Sequence, residues 1–282
     1  MIVTHDAGKT ITVHRQPEQA AAWELDYGSK PKPFIHPLRT PAGHLLSLAE
    51  PYDHMWHRGL WFTFKFVNGD NFWEENVDHG VQRAAGVPEI RHDGSDRVAV
   101  RMKLHWIGQG AREPVLVEER SIAFRADDDV DIFDWTSALV AQRDVVLDRT
   151  PYTSWGGYGG LSFRGARGWA VARYGLPDAA VSDRPAGHRG AWCDLSGTLD
   201  GGAGLSGGLA ILDHPGNIRH PTPWYAGGSS MTFINAALLF HEPLALASGE
   251  ELRLRYRVFV HDGVWERNRV EAESEAFARE SS

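Results

Sequence analysis

The chain has 282 residues, 42% of them apolar, so it is long enough to bury a large core in one domain. Its net charge of −8 argues against partners such as nucleic acid or an anionic membrane. A single cysteine, Cys193, excludes an intrachain disulfide and a site built from several thiolates, and its apolar surroundings predict a buried, inert thiol.

Short runs that alternate between apolar and polar residues predict half-buried β-strands. In chain order these runs cover residues 10–14, 97–106, 115–124, 130–141 and 252–260. Turn residues separate the long runs after residue 97, which predicts an antiparallel meander. Only the tail has a helical pattern. We predict one helix over about residues 262–280, capped by Asp262, with Val270, Ser274 and Phe277 on one face.

Many strands followed by one terminal helix predict an all-β fold: a large antiparallel β-sandwich that forms a single domain over residues 1–282. Two large twisted sheets would leave one concave face free for a ligand. Exposed edge strands make a homodimer possible. No stretch approaches the roughly 20 apolar residues of a membrane span. The first six residues lack the pattern of a secretory signal, so we expect no membrane partner and a cytoplasmic location.

The densest group of polar side chains next to aromatic residues contains His54 and His57. Pro51 upstream indicates a loop, on which the two imidazoles can converge, whereas a strand would put them on opposite faces. Three interpretations stay open. The imidazoles carry protons or bind substrate without a metal, or they bind Zn, Mn or Fe with Asp53 or Glu75 as third ligand, or they stabilise a turn.

Arginines and an aromatic–acidic segment flank these histidines. His36, Arg39 and Arg58 are candidate substrate-binding residues, because guanidinium groups grip oxygen atoms through charge-assisted hydrogen bonds. Each arginine could equally pair with a nearby carboxylate, Asp53 or Glu50. The other candidates come from the segment 71–76, where a sugar can stack on Trp73. Its neighbouring carboxylates Glu74 and Glu75 should point to opposite sides, and we favour Glu75 as the catalytic one.

Residues 154–160 contain four glycines but lack the context of a nucleotide-binding loop. Glycine lets the backbone bend or approach a ligand closely, which would allow Trp155, Tyr158 and Arg164 to line a pocket.

A second polar cluster, residues 213–221, follows an apolar run that predicts a buried strand. Polar side chains at a strand end can enter a cleft. The candidates here are His214 and His220 as acid–base groups, and Asn217 and Trp224 as binding residues. The alternative is an Asx-type turn stabilised by Asp213.

Several motifs together resemble one known family. They occupy residues 34–43, 53–62 (Asp-His-x-x-His-Arg-Gly-Leu-Trp-Phe), 68–73, 157–164 and 213–219. They resemble the soluble bacterial proteins labelled as the "methane oxygenase PmoA" family. The resemblance implies a galactose mutarotase-like supersandwich and a setting in sugar catabolism. It does not imply a genuine methane monooxygenase subunit, which is a membrane protein. Members often carry another histidine where this chain has Met55 and Trp56, which weakens the metal interpretation.

We therefore expect an enzyme that acts on a small-molecule carbohydrate, a sugar or keto-sugar derivative, by proton transfer: epimerisation, isomerisation or elimination. A histidine from either cluster would be the acid, and Glu75 or another histidine the base. One alternative is a lyase or hydrolase that uses a divalent metal; otherwise no cofactor is expected. The other alternative is a noncatalytic carbohydrate-binding protein.

Overall fold

The computed structural model describes residues 1–75, 78–94, 96–153, 156–177, 185–227 and 231–280. Within these residues two nine-stranded antiparallel sheets pack against each other, accompanied by a small four-stranded sheet and one C-terminal helix. The predicted antiparallel β-sandwich with a terminal helix is thus confirmed. Among the described residues, no helix has both the length and the apolar character needed to cross a membrane.

The first sheet contains the N-terminal strands and several central ones. In spatial order it consists of β1 (Ile2–Asp6), β2 (Thr10–His14), β3 (Trp23–Asp26), β4 (Phe34–Leu38), β5 (Leu60–Thr63), β14 (Gly160–Arg164), β20 (Phe233–Ala236), β19 (Pro223–Ala226) and β16 (Ala186–Arg189).

The second sheet contains the long strands. In spatial order it consists of β15 (Trp169–Gly175), β17 (Trp192–Leu199), β18 (Ser206–Asp213), β22 (Glu251–Asp262), β12 (Val130–Ala141), β11 (Leu116–Ala126), β10 (Arg97–Ile107) and β8 (Val81–Ala84), with β9 (Glu89–Asp93) also paired to β10. The small sheet consists of β21 (Leu244–Leu246), β13 (Val145–Asp148), β6 (Phe66–Val67) and β7 (Asp70–Asn71).

The main core lies between the two large sheets. Along β10 every second side chain is buried and belongs to this core, from Val98 to Trp106, as the period-two pattern predicts. The predicted meander is confirmed, since β11 pairs antiparallel with both β10 and β12. Cys193 is also in this core, and burial raises the pKa of its thiol, as expected of an inert cysteine.

The helix α1 (Arg267–Ala278) covers part of the outer face of the second sheet. Its buried residues are Val270, Ser274 and Phe277, the face that the sequence predicts. The predicted cap is wrong, because Asp262 ends β22 and accepts a hydrogen bond from the Ala42 backbone N–H at 2.8 Å. The chain is still part of β22 at this point and must first leave the sheet, so the helix begins five residues later than predicted.

Candidate functional site

The candidate site lies on the outer face of the first sheet, away from the main core. Leu60 and Phe62 of β5 point into that core, so the alternation of the strand sends Trp61 to the other side. Phe34 lies in register with Trp61, and Phe233 of β20 belongs to the same outer cluster. A second, smaller aromatic cluster therefore forms on this face, and another segment of the chain must pack over it to bury its rings.

The loop that carries the two histidines supplies this cover by folding back on itself. The His57 N–H donates to the His54 carbonyl at 2.9 Å, and the Glu50 N–H donates to the His57 carbonyl at 2.8 Å. Gly59 follows with a φ of 73°, and a Cβ there would lie 2.4 Å from the Ile35 carbonyl oxygen. Only glycine fits this close approach, which turns the chain from the loop into β5.

A cavity of about 400 Å³ opens between this loop and the aromatic cluster. Sites for small molecules commonly have volumes of about 300–1,000 Å³. The aromatic part of the lining consists of Tyr52, Trp56, Trp73, Tyr158, Tyr225 and Phe233. The ionisable part consists of Asp53, His54, His57, Glu74 and Arg167. A wider groove of about 670 Å³ crosses the outer face of the second sheet, but neither an aromatic ring nor a histidine is among its described lining residues. We therefore place the candidate site in the smaller cavity.

The two histidines of the loop converge, as the loop interpretation requires. Their rings stack with centroids 4.6 Å apart and planes inclined by 26°. Burial, followed by the charges of His54, Arg164 and Lys32, lowers the pKa of His57 well below its ordinary value. The imidazole of His57 is therefore neutral at pH 7.

Each of the two histidines has one ring nitrogen without a hydrogen-bond partner in the described part of the chain. The Nδ1 atoms of His54 and His57 are buried and have no hydrogen-bond partner among the described residues. The Asp53 carboxylate lies 3.5 Å from Nδ1 of His54, close enough for charge interaction but without the alignment of a hydrogen bond. A neutral imidazole with an unused ring nitrogen can accept or pass on a proton.

Glu74 presents a carboxylate to the same cavity. It forms an ion pair with Lys65, accepts a hydrogen bond from Asn71 Nδ2 at 2.9 Å, and accepts another from the Tyr158 hydroxyl at 3.2 Å. Burial opposes ionisation of Glu74, but Lys65 and Asn71 outweigh it and lower the pKa. Burial and the adjacent Glu74 raise the pKa of Tyr158, which stays a protonated donor. The cavity thus holds an ionised acceptor beside a neutral phenol.

Asp53 connects the rim of the cavity to two arginines. Arg167 donates to its Oδ1 at 2.8 Å, and Arg164 of β14 donates to its Oδ2 at 3.4 Å. Burial opposes ionisation of Asp53, but its own backbone N–H and the two arginines outweigh it and lower the pKa. Arg164 is buried, and its Nε and Nη1 have no hydrogen-bond partner in the described part of the chain. Arg164 therefore anchors Asp53 from below.

Glu75, which we favoured from the sequence, lies outside the cavity lining. Its Oε1 is 2.7 Å from Lys32 Nζ, and it forms an ion pair with Arg58, which also bonds Glu50 at 2.5 Å. Burial lowers the pKa of Lys32 to about 8, and Lys32 donates to the Trp73 carbonyl at 2.7 Å. Lys32 thus connects this network of charges to the backbone of Trp73. Arg58 thus forms the ion pair with Glu50 that was its alternative interpretation, and of the neighbours Glu74 and Glu75 it is Glu74 that lines the cavity.

Only part of the first predicted cluster meets in the cavity. His54, His57, Trp73 and Tyr158 line it. His36 on β4 instead bonds Ser47 Oγ at 2.7 Å through Nδ1, and Arg39 donates to the Gly43 carbonyl at 3.2 Å, and neither residue lines the cavity. Trp155 lies outside the described residues.

The second predicted cluster does not join the cavity. Asp213 accepts hydrogen bonds from Asn217 Nδ2 at 2.7 Å and from the Thr222 backbone at 2.9 Å, and it lies 2.8 Å from His220 Nδ1. The Asn217 side-chain oxygen accepts from the Arg255 backbone N–H at 2.7 Å. This is the turn interpretation, with His220 and Asn217 used to close the turn.

The remaining two residues of that cluster are packed elsewhere. His214 contacts Phe277 of the helix, with ring centroids 5.0 Å apart, and its Nδ1 accepts from the Gly216 N–H at 3.0 Å. Trp224 is fully buried in the main core and donates from Nε1 to the Gly190 carbonyl at 2.9 Å. Neither belongs to the cavity lining, because both side chains are committed to the packing of other elements.

Some lining residues were not among the sequence candidates: Trp56, Arg167, Tyr225, Phe233 and Glu74 in its favoured role. Tyr225 follows Trp224 on the same strand, so the alternation that buries one exposes the other to the cavity. Arg167 and Phe233 lie far along the chain from the histidine loop, and no local pattern connects them to it.

No group of three or more side chains suited to a metal ion is assembled in the described part of the chain. The predicted set of His54 and His57 with Asp53 or Glu75 is therefore not formed, since Glu75 pairs with Lys32 and Arg58. The stacked imidazoles and two separately held carboxylates, Asp53 and Glu74, point to proton transfer or hydrogen bonding instead.

The chain is thus a β-sandwich protein with a candidate small-molecule site on one outer face. The chain belongs to DUF6807, a family of unknown function, whose profile matches residues 4–275. The PmoA label that the motifs suggested stays a prediction. Comparison with curated proteins gave no significant match.

Solved structures of carbohydrate enzymes share a loose likeness with this chain. Heparan sulfate lyase HepC of Pedobacter heparinus superposes with a TM-score of 0.47 at 9% identity, over 94% of this chain and 37% of the lyase. The GH36 alpha-galactosidase AgaB of Geobacillus stearothermophilus superposes with a TM-score of 0.45 at 11% identity, over 93% of this chain and 41% of the galactosidase. The chain thus spans less than half the length of either. A galactose mutarotase related enzyme of Lactobacillus acidophilus superposes with a TM-score of 0.39 at 8% identity, over 92% of this chain and 97% of the enzyme. At such scores the likeness carries no argument about activity.

Proposed function

We propose that this chain is a carbohydrate-processing enzyme that binds a sugar or keto-sugar in the cavity and moves protons on it. The observation that carries the proposal is the pairing of an ionised carboxylate, Glu74, with a neutral imidazole, His57, in one aromatic-lined cavity. A sugar ring has apolar C–H faces and hydroxyl edges, so it suits stacked rings next to charged acceptors.

The division of roles follows from the charge states. Glu74 is ionised and can accept a proton from a hydroxyl or from a carbon next to a carbonyl group. The stacked imidazoles of His54 and His57, which line the cavity, can deliver or receive the second proton. Tyr158 stays protonated and can donate a hydrogen bond to an oxygen atom that gains negative charge. Such a set supports epimerisation, isomerisation or elimination.

The test combines binding with turnover. A panel of aldoses and keto-sugars is screened by saturation-transfer NMR, and each binder is then followed in D₂O for anomeric exchange, deuterium incorporation or new olefinic signals. We expect binding of at least one sugar with proton exchange, both lost in a Trp73→Ala variant. Glu74→Gln should retain binding and slow exchange by about 100-fold or more.

Glu89→Gln is the matched control, because Glu89 is an exposed carboxylate on β9 of the other sheet. It should leave binding and exchange unchanged. Saturable sugar binding without any exchange would contradict the catalytic part of the proposal and favour a carbohydrate-binding protein. No binding across the panel would contradict the whole proposal.

A further inference from the structure

The mouth of the cavity carries an aromatic side chain that the enclosed site does not need. Resting on the proposed function, we infer that the substrate is a glycoside rather than a free monosaccharide. One ring occupies the cavity, and the linked second ring packs on Tyr52 outside it.

Tyr52 is the most exposed large apolar side chain in the described chain, with 85% of its surface accessible, yet it belongs to the cavity lining. Trp56, on the same loop, is partly exposed and also lines the cavity. Exposed apolar side chains that cluster at the rim of a pocket mark a binding surface more often than single scattered ones do. Because the Tyr52 ring both lines the cavity and is exposed to solvent, it forms part of the rim of the cavity.

The Tyr52 ring is held in position by a chain of charged groups. The Arg167 guanidinium lies 4.7 Å from the ring centroid, and Arg167 donates to Asp53 at 2.8 Å. Asp53 in turn is held by the buried Arg164 on β14 at 3.4 Å. An exposed ring tied in this way to the sheet loses little freedom when a ligand packs on it, and this preorganisation favours binding.

The charged groups beside Tyr52 can hydrogen-bond the hydroxyl groups at the edge of a sugar, while the Tyr52 ring packs against the apolar face of the sugar. Asp53 offers carboxylate oxygens and Arg167 offers N–H donors next to the aromatic surface, so hydroxyl groups of a stacked ring find both kinds of partner.

The test compares matched ligands by calorimetry: galactose with lactose and melibiose, and glucose with cellobiose and maltose. The variants are Tyr52→Ala, Tyr52→Phe, and Tyr152→Ala as a control at another half-exposed tyrosine, which stacks on Phe240 outside the cavity. We expect at least one disaccharide to bind more tightly than its monosaccharide. Tyr52→Ala should weaken that disaccharide about fivefold to tenfold while leaving the monosaccharide unchanged.

Tyr52→Phe should keep the preference, because the stacking surface remains, and Tyr152→Ala should have no effect. Equal affinity for both members of every pair, or an equal loss for both in Tyr52→Ala, would overturn this inference and leave the proposed function intact. Failure of every sugar to bind would overturn the proposed function, and this inference with it.

Discussion

The adjacent carboxylates Glu74 and Glu75 lie in different environments, one in the cavity lining and one in a buried ion-pair network, and exchanging each for its amide tests the role proposed for each. Glu75→Gln would leave Lys32 and Arg58 buried with Glu50 as the remaining carboxylate of their network. Removing one partner of a buried ion pair costs about 3–5 kcal/mol. At about 2–4 °C per kcal/mol for a chain somewhat smaller than this one, the melting temperature should fall by roughly 6–20 °C.

Glu74→Gln should be much milder for folding. The amide oxygen of glutamine can replace Oε2 and still accept from Asn71 and Lys65, while its NH₂ group can donate to the Tyr158 hydroxyl oxygen, so we expect a loss of about 1–2 kcal/mol. Its effect should fall on proton transfer instead. Thermal unfolding followed by circular dichroism at pH 7.5, together with the exchange assay above, measures both quantities on the same samples.

Glu75→Gln should lose more stability than Glu74→Gln, and Glu74→Gln should lose more turnover than Glu75→Gln. If Glu75→Gln melts within about 2 °C of the wild type and stops turnover while Glu74→Gln is active, the buried network is not a support. The carboxylate that we first favoured from the sequence would then be the functional one.

Three further predictions follow from the buried groups. The pKa of His57 is lowered in the folded state, so below about pH 6.5 the unfolded chain takes up a proton that the folded chain does not. The free energy of unfolding should therefore fall by about 1 kcal/mol from pH 7.5 to 5.5. The decrease should be smaller in His57→Gln, which lacks the titrating group. Denaturant titrations at the two pH values check this, and parallel curves for both proteins would contradict it. His214→Ala should cost about 1 kcal/mol through lost contact with the helix but leave sugar binding unchanged, and impaired binding would return the 213–221 turn to the site. Cys193 should not react with a thiol reagent until the protein unfolds, so prompt labelling of native protein would refute its burial.

The long strands were the most predictable part of the molecule. Residues 97–107 alternate so regularly that both the strand and its buried face could be read directly, because a half-buried strand requires a period of two. The buried face of the helix was equally legible from Val270, Ser274 and Phe277, but its start was not. Asp262 can cap a helix or end a strand, and its pairing with Gly207 of β18 decided for the strand.

The site was predictable in type and only partly in membership. The histidine loop, Trp73 and Tyr158 were identified because imidazoles beside aromatic rings are unusual in a core. The choice between neighbours failed twice for the same reason. Glu74 and Glu75 are neighbours in the sequence, as are Trp224 and Tyr225. Only the packing of the surrounding strands and loops shows which residue of each pair lines the cavity.

The sequence by itself determined the class of fold, the hydrophobic faces of the long strands and the presence of a polar–aromatic site near residues 53–74, because these depend on local periodicity and composition. Only the tertiary structure decided which distant residues complete that site. Arg167, Tyr225 and Phe233 reach the histidine loop across strands β14, β20 and β19, whose order in the sheet is set by long-range pairing. The same pairing placed the 213–221 cluster in a turn against the helix, where its histidines serve packing.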